Sequence, residues 1–189
     1  LEDRVVTISR ARFTVEYPAS FMLVAAMNPC PCGFHNHPEK ECVCAPGVVQ
    51  KYLTRISGPL LDRIDIHIEV TPVPFSELSA ERSTERSAEV RQRVVRAREV
   101  QQRRFAGIGL HSNAQMSSQQ LRGICRIDEA GKALLERAME RLGLSARAYD
   151  RILKVARTIA DLADSPDIRT EHLAEAIQYR SLDREGWAG

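Results

Sequence analysis

Ala26-Met27-Asn28-Pro29-Cys30-Pro31-Cys32-Gly33, then Cys42-Val43-Cys44, then Gly58-Pro59-Leu60-Leu61-Asp62-Arg63-Ile64-Asp65: these three runs, in this order, decide how the chain is read. The first closes an apolar stretch, residues 21–27, that has strand length and no polar residue. That is the pattern of a strand covered on both faces. The third feeds a segment in which Ile64, Ile66, Ile68 and Val70 alternate with Asp65, His67 and Glu69, the period of a strand with one covered face. Between them lies a polar loop rich in Cys, Pro, Gly and His, followed by a short helix expected over about 48–56.

Upstream, Val5-Val6-Thr7-Ile8 and Phe13-Thr14-Val15-Glu16-Tyr17 are β-prone runs joined by Ser9-Arg10-Ala11-Arg12, which predicts a hairpin. Downstream of Pro72-Val73-Pro74 the period changes to that of helices. Residues from about 80 to 105 carry Val90, Val94, Ala97 and Gln101 at helical spacing, with Gly107 and Gly109 as the stop. Asp128 and Ser145 are placed to cap two further helices, Gly143 to end the first of them, and Thr170 to start a last one. The stripe Ile152, Val155, Ala156, Ile159 and Leu162 or Ala163 marks a buried face. A mixed α/β piece followed by a helical bundle is the architecture expected.

The four clustered cysteines, Cys30, Cys32, Cys42 and Cys44, form two Cys-x-Cys pairs. Two such pairs can close a tetrahedral zinc site, and the apolar-poor loop between them has no core of its own on which to fold. His35 or His37 replacing one ligand, reversible disulfides and plain thiols are the alternatives. Cys125 stands apart in a helical segment and reads as packing. A net charge of +2 excludes a bulk polycation, so any nucleic-acid surface has to be local. No run approaches the roughly 20 apolar residues of a membrane span. No secretory signal opens the chain, which predicts a cytoplasmic protein without a membrane partner. The start at Leu1, without methionine, is the expected mark of a piece of a longer protein.

The ordered set of Asn28-Pro29, the Cys pairs, Gly58-Pro59-Leu60-Leu61-Asp62-Arg63 and Ser145-Ala146-Arg147 resembles the distal half of a AAA+ ATPase of the magnesium-chelatase-like ComM/YifB family. The resemblance implies a partial AAA+ core with hairpin and Cys-rich loop over residues 1–74. A linker and long Arg-rich helix would follow over 75–112, and a helical lid domain over 113–189. It implies that Asn28 is sensor 1, its amide orienting the water that attacks the γ-phosphate. Arg63 resembles the arginine finger, reaching ATP on a neighbouring subunit, with Arg55 as second choice. Arg147 resembles sensor 2 at a helix start, where phosphate is already favoured, with Arg151 one turn further on.

In related motors the hairpin enters the pore. There Arg10 and Arg12 would grip DNA phosphates without reading bases; a solvated turn is the equally plain reading. The arginines between 91 and 104 read as a solvated helix face or a cation-rich helix end. Each of the three nucleotide-facing residues also has its bland alternative: a turn before proline, a surface ion pair and a solvated helix start.

The sequence contains no Gly-x-x-x-x-Gly-Lys-Ser/Thr loop and no acidic strand end before Leu1 to hold Mg2+. The chain alone is therefore expected to bind ATP poorly and hydrolyse none. Leu1-Glu2-Asp3 resembles the end of the helix after that acidic motif. The function implied is that of a hexameric, ATP-driven DNA motor of the kind associated with branch migration in natural transformation. A chelatase-type motor remodelling a metal insertase, and a non-enzymatic zinc-containing interaction module, are the alternatives.

Overall fold

The computed structural model describes residues 4–73 and 85–180. Leu1-Glu2-Asp3, the start of the expected linker and the end of the expected lid domain lie outside them. Two compact units divide at Arg63/Ile64.

In the first unit, β1 (Val5–Arg10) and β2 (Phe13–Pro18) form the expected antiparallel hairpin, with Val5 opposite Pro18 and Arg10 opposite Phe13. Pairing runs two residues beyond the expected first strand, so the turn shrinks to Ala11-Arg12. Arg10 thus lies in a strand and Arg12 in the turn. The Ser9 and Thr14 hydroxyls meet across the pair at 2.9 Å. After the Cys-rich loop come two short helices, α1 (Val48–Leu53) and α2 (Gly58–Leu61). Gly47 precedes α1 at φ 83°, a left-handed conformation that costs glycine least. Pro59 sits in the first turn of α2, where a missing amide hydrogen is no loss.

The buried strand expected over 21–27 is not formed. These residues are exposed, Met22 at 88% and Val24 at 82%, and among the described residues the sheet is β1-β2 alone. An apolar run becomes a covered strand only when neighbouring strands satisfy its backbone and cover its side chains, and the described residues supply none. The strand expected over 64–70 is absent too, and its burial is inverted. His67 is 5% exposed, whereas Ile66, Ile68 and Val70 face solvent. The cause is local tethering within the second unit. The His67 amide donates to the Tyr179 carbonyl at 2.8 Å, and the Arg180 guanidinium donates to the Ile64 carbonyl.

The second unit is helical: α3 (Ser87–Arg104), a 3-10 turn (Asn113–Gln115), α4 (Ser118–Ile124), α5 (Glu129–Leu142), α6 (Ala146–Leu162) and α7 (Thr170–Gln178). Its caps follow the residue chemistry. Asp128 Oδ1 accepts the Gly131 amide at 2.8 Å, and Ser145 Oγ accepts the Ala148 amide at 3.2 Å. Gly143 closes α5 at φ 60°.

The amphipathic face of α6 packs on α3, α4 and α7, while α5 packs on α7. Phe105, Met116, Leu121, Leu135, Ile152, Leu153, Ala156, Ile168 and Leu173 form the core. Each large side chain so buried is worth about 1.5–3 kcal/mol. Leu162 and Ala163, the two residues offered for the end of the stripe, are both exposed. Gly131 lets α5 sit tightly against α7: a Cβ there would lie 2.8 Å from Leu173 Cδ1.

Candidate metal centre and arginine sites

The Cys-rich loop is shaped by residues that limit its backbone. Pro29 and Pro31 fix φ on either side of Cys30, and the Gly33 amide returns to the Cys30 carbonyl at 3.0 Å with Gly33 at φ 85°. The tip is held by an edge-on contact of Phe34 with His37 and by the Lys40 ammonium 5.0 Å from the Phe34 ring centre. His37 Nδ1 accepts the amides of Glu39 and Lys40 at 3.0 and 3.1 Å. That nitrogen is thereby occupied in shaping the turn.

These turns bring the ligand atoms of Cys30, Cys32, Cys42 and Cys44 within 4.8 Å of one another. Sγ of Cys30 lies 3.3 Å from Cys32 and 3.7 Å from Cys42, and Cys32 lies 3.5 Å from Cys42. All four are free thiols. Cys30 is 0% exposed, and its sulfur accepts the His35 amide at 3.3 Å.

The cluster divides into easily and reluctantly ionised thiols. Cys32 is lowered to about 6, chiefly by the Phe34 amide. For Cys30, burial is the largest influence and opposes ionisation, yet the amides of His35 and Phe34 and the Cys42 thiol help to leave it below the ordinary thiol value. The amide of Cys44 pulls Cys42 down, but burial and the neighbouring thiols outweigh it and push the group up to about 12. Cys44 is raised as well, its neighbours and burial prevailing over the Cys32 amide. Four sulfurs crowded in this way resist becoming four thiolates unless a cation shares the charge. Cys125, by contrast, is core packing in the second unit, and burial raises it to about 11.

Asn28 is exposed two residues before Cys30. Its amide nitrogen would lie 4.0 Å from a Cβ placed on Gly33, so side chain and loop are near neighbours. Arg63, just after α2, is half-buried, and its Nη1 donates to the Pro59 carbonyl at 3.4 Å. Arg55, Arg10 and Arg12 are exposed.

In the second unit, Arg147 stands exposed in the first turn of α6. Arg151, the other candidate on that face, is 14% exposed and ion-paired to Asp65. Arg151, the second choice of the two, is thus engaged within its own unit.

The Arg-rich helix holds one misread residue. Arg104, grouped with a solvated or cation-rich helix end, is drawn into a buried cluster. Its guanidinium donates to Asp161 at 2.5 and 2.7 Å and to Asn113 at 2.8 Å. Arg157 Nε reaches the same carboxylate at 3.0 Å, and its Nη atoms bind the carbonyls of Ser165 and Pro166. Burial works against the Asp161 charge, but the Arg104 and Asn113 hydrogen bonds and the Arg157 charge more than compensate. The carboxyl is held below its ordinary range. The one sequence signal was a charged i,i+4 pair, Arg157 and Asp161, on the helix that carries the apolar stripe.

Comparison with known proteins divides the chain further along, between residues 78 and 84. Residues 1–78 match the family described as magnesium chelatase, subunit ChlI, and residues 84–180 match magnesium chelatase, subunit ChlI C-terminal. The chain is 43% identical over 186 residues to the competence protein ComM of Haemophilus influenzae, covering 97% of this chain and 35% of that protein. It is 43% identical over 185 residues to the YifB protein of Escherichia coli, with the same coverage of each. Against protein Rv2897c of Mycobacterium tuberculosis the identity is 37% over 180 residues, covering 95% of this chain and 35% of that one. The chain thus spans about a third of the length of these relatives. No described helix is long and apolar enough to cross a membrane.

Proposed function

The chain belongs to the magnesium chelatase subunit ChlI family, and from that premise we propose that it is the distal piece of a ring-forming, ATP-driven motor that acts on DNA. The observation that carries the reading is the near-complete match of this chain to the competence protein ComM, of which it spans 35%. In the longer parent, the remaining chain would hold ATP and Mg2+, which supply the energy and the charge neutralisation for phosphoryl transfer.

The residues of this piece then divide the work. The Asn28 amide donates and accepts without adding charge, so it orients a water against the γ-phosphate. Arg147, at the start of α6 where the helix end already favours anions, senses nucleotide phosphate. Arg63 leaves its own subunit to stabilise charge on the transferring phosphoryl group of the neighbour, a task suited to a permanently charged fork. Arg10 and Arg12, on the hairpin, hold DNA phosphates without base contacts. The cysteine loop is a zinc-holding structural element in this reading, and its metal does not touch the phosphate. A hexamer in the cytoplasm is the assembly that fits these roles.

ATP turnover of the full-length parent tests this. Stimulation by single-stranded or branched DNA is expected. The family description itself favours a second reading, a chelatase-type motor that remodels a metal insertase. Stimulation by a chelatase partner and porphyrin, with none from DNA, would establish that reading and reject the first.

A further inference from the structure

We infer that one zinc-class ion, held by the sulfurs of Cys30, Cys32, Cys42 and Cys44, is the folding core of residues 28–47 and thereby fixes the side chain of Asn28. Four thiolates on a tetrahedral ion with bonds of about 2.3 Å lie about 3.8 Å apart. The separations among Cys30, Cys32 and Cys42, 3.3, 3.5 and 3.7 Å, approach that edge, and the Cys44 sulfur lies within 4.8 Å of each. They are far longer than the roughly 2.05 Å of a disulfide. An all-sulfur donor set selects soft or borderline ions and disfavours magnesium or calcium. Four protein ligands close the shell, so the ion has no open position for catalysis.

The loop has no apolar core of its own to fold on. Among the described residues of the first unit, only Cys30, Leu53 and Leu61 are buried, and Cys30 is the one within the loop. Between Cys32 and Cys42 the single large apolar side chain is Phe34. A bound ion supplies as binding energy what such a segment cannot gain by burying apolar surface. Asn28 leads directly into this centre, and Gly33, between the first and second Cys pairs, lies beside its amide. Ordering the loop therefore orders Asn28. The role of Asn28 toward phosphate rests on the motor reading; the metal centre does not.

Metal analysis of the purified 189-residue chain is expected to find one zinc per chain in the wild type and in Cys125→Ala, and none in Cys42→Ser. Cobalt(II) should replace the zinc and give the intense visible bands of tetrahedral thiolate coordination. Chelation should strip hydrogen-exchange protection from residues 28–47 and leave α6 and α7 protected. Metal-free wild-type protein with residues 28–47 still protected would overturn the centre. So would paired disulfides by mass, or a bound redox-active iron.

For Asn28, the full-length parent carrying Cys42→Ser should lose kcat at unchanged KM for ATP. Cys42→His, which keeps a ligand at that position, should restore both zinc and turnover. Zinc-free Cys42→Ser parent with wild-type kcat would remove the positioning role. Asn28→Ala parent that keeps its zinc and its turnover would instead sink the motor role of Asn28 and leave the metal centre standing.

Discussion

Up to Arg63 the described chain buries Cys30, Leu53 and Leu61; from Ile64 onward it buries Phe105, Leu121, Leu135, Ile152, Leu173 and a charged cluster around Asp161. The helical unit owes its order to its own packing, with caps at both ends of α5 and ionic anchors inside. The first unit leaves apolar residues such as Phe21, Met22 and Val24 in solvent and gathers sulfur where a core would be. The difference teaches where each kind of residue is worth seeking: stability in the second unit, and in the first a set of ligand atoms and exposed apolar surface.

The sharpest way to break this contrast is Asp161→Ala. It strands Arg104 and Arg157 as buried charges, a change that typically costs about 3–5 kcal/mol. Chemical denaturation should show the helical unit losing that much while the zinc content of the cysteine loop is unchanged. Loss of zinc in this variant would show that the two units do not hold together separately.

Leu173→Ala comes next. Leu173 is 0% exposed, and truncating such a side chain costs about 2–5 kcal/mol. The same denaturation curve measures it.

Acid sharpens the comparison differently. The Asp161 carboxyl titrates below its ordinary range in the folded state. Its contribution is therefore complete above the ordinary carboxylate pKa of about 3.9 and is lost as pH falls through the lower, folded value. Asp161→Asn should flatten the acid limb of the stability profile of the helical unit. An unchanged limb would remove this carboxylate as its cause. The smallest effect expected is that of Ser145→Ala, which removes one cap from α6 and should cost about 1 kcal/mol by thermal melting.

Much of the helical unit was legible because its signals are local. Asp128, Gly143 and Ser145 act on backbone within a few residues, and the α6 stripe repeats every turn. The hairpin and the four-cysteine cluster were legible for the same reason. The helix over Ser118–Ile124 was given no bounds, only a helical segment around Cys125, although Ser117 and Gln120 form a reciprocal capping box at its start. It is short and contains Gly123, which weakens its helical signal.

What the sequence misled on is non-local. Residues 21–27 look like a buried strand, but burial depends on neighbours that the run does not encode. Arg104 looks like its solvated companions, yet its carboxylate partner lies 57 residues away. Arg151 reads as a solvated neighbour of Arg147, yet it pairs with Asp65, 86 residues away. Within the candidate site, the thiol cluster was readable from spacing, whereas the closeness of Asn28 to Gly33 needed coordinates.

The proposed motor depends on Arg63 completing a site on the next subunit. Mixing two inactive full-length parents, one with Arg63→Ala and one lacking the lysine of its phosphate loop, measures this directly. ATP turnover should reappear in the mixture, because junctions then form that pair an intact phosphate loop with an intact Arg63. A mixture that co-assembles and stays inactive, or an Arg63→Ala parent that hydrolyses ATP normally by itself, would contradict the account.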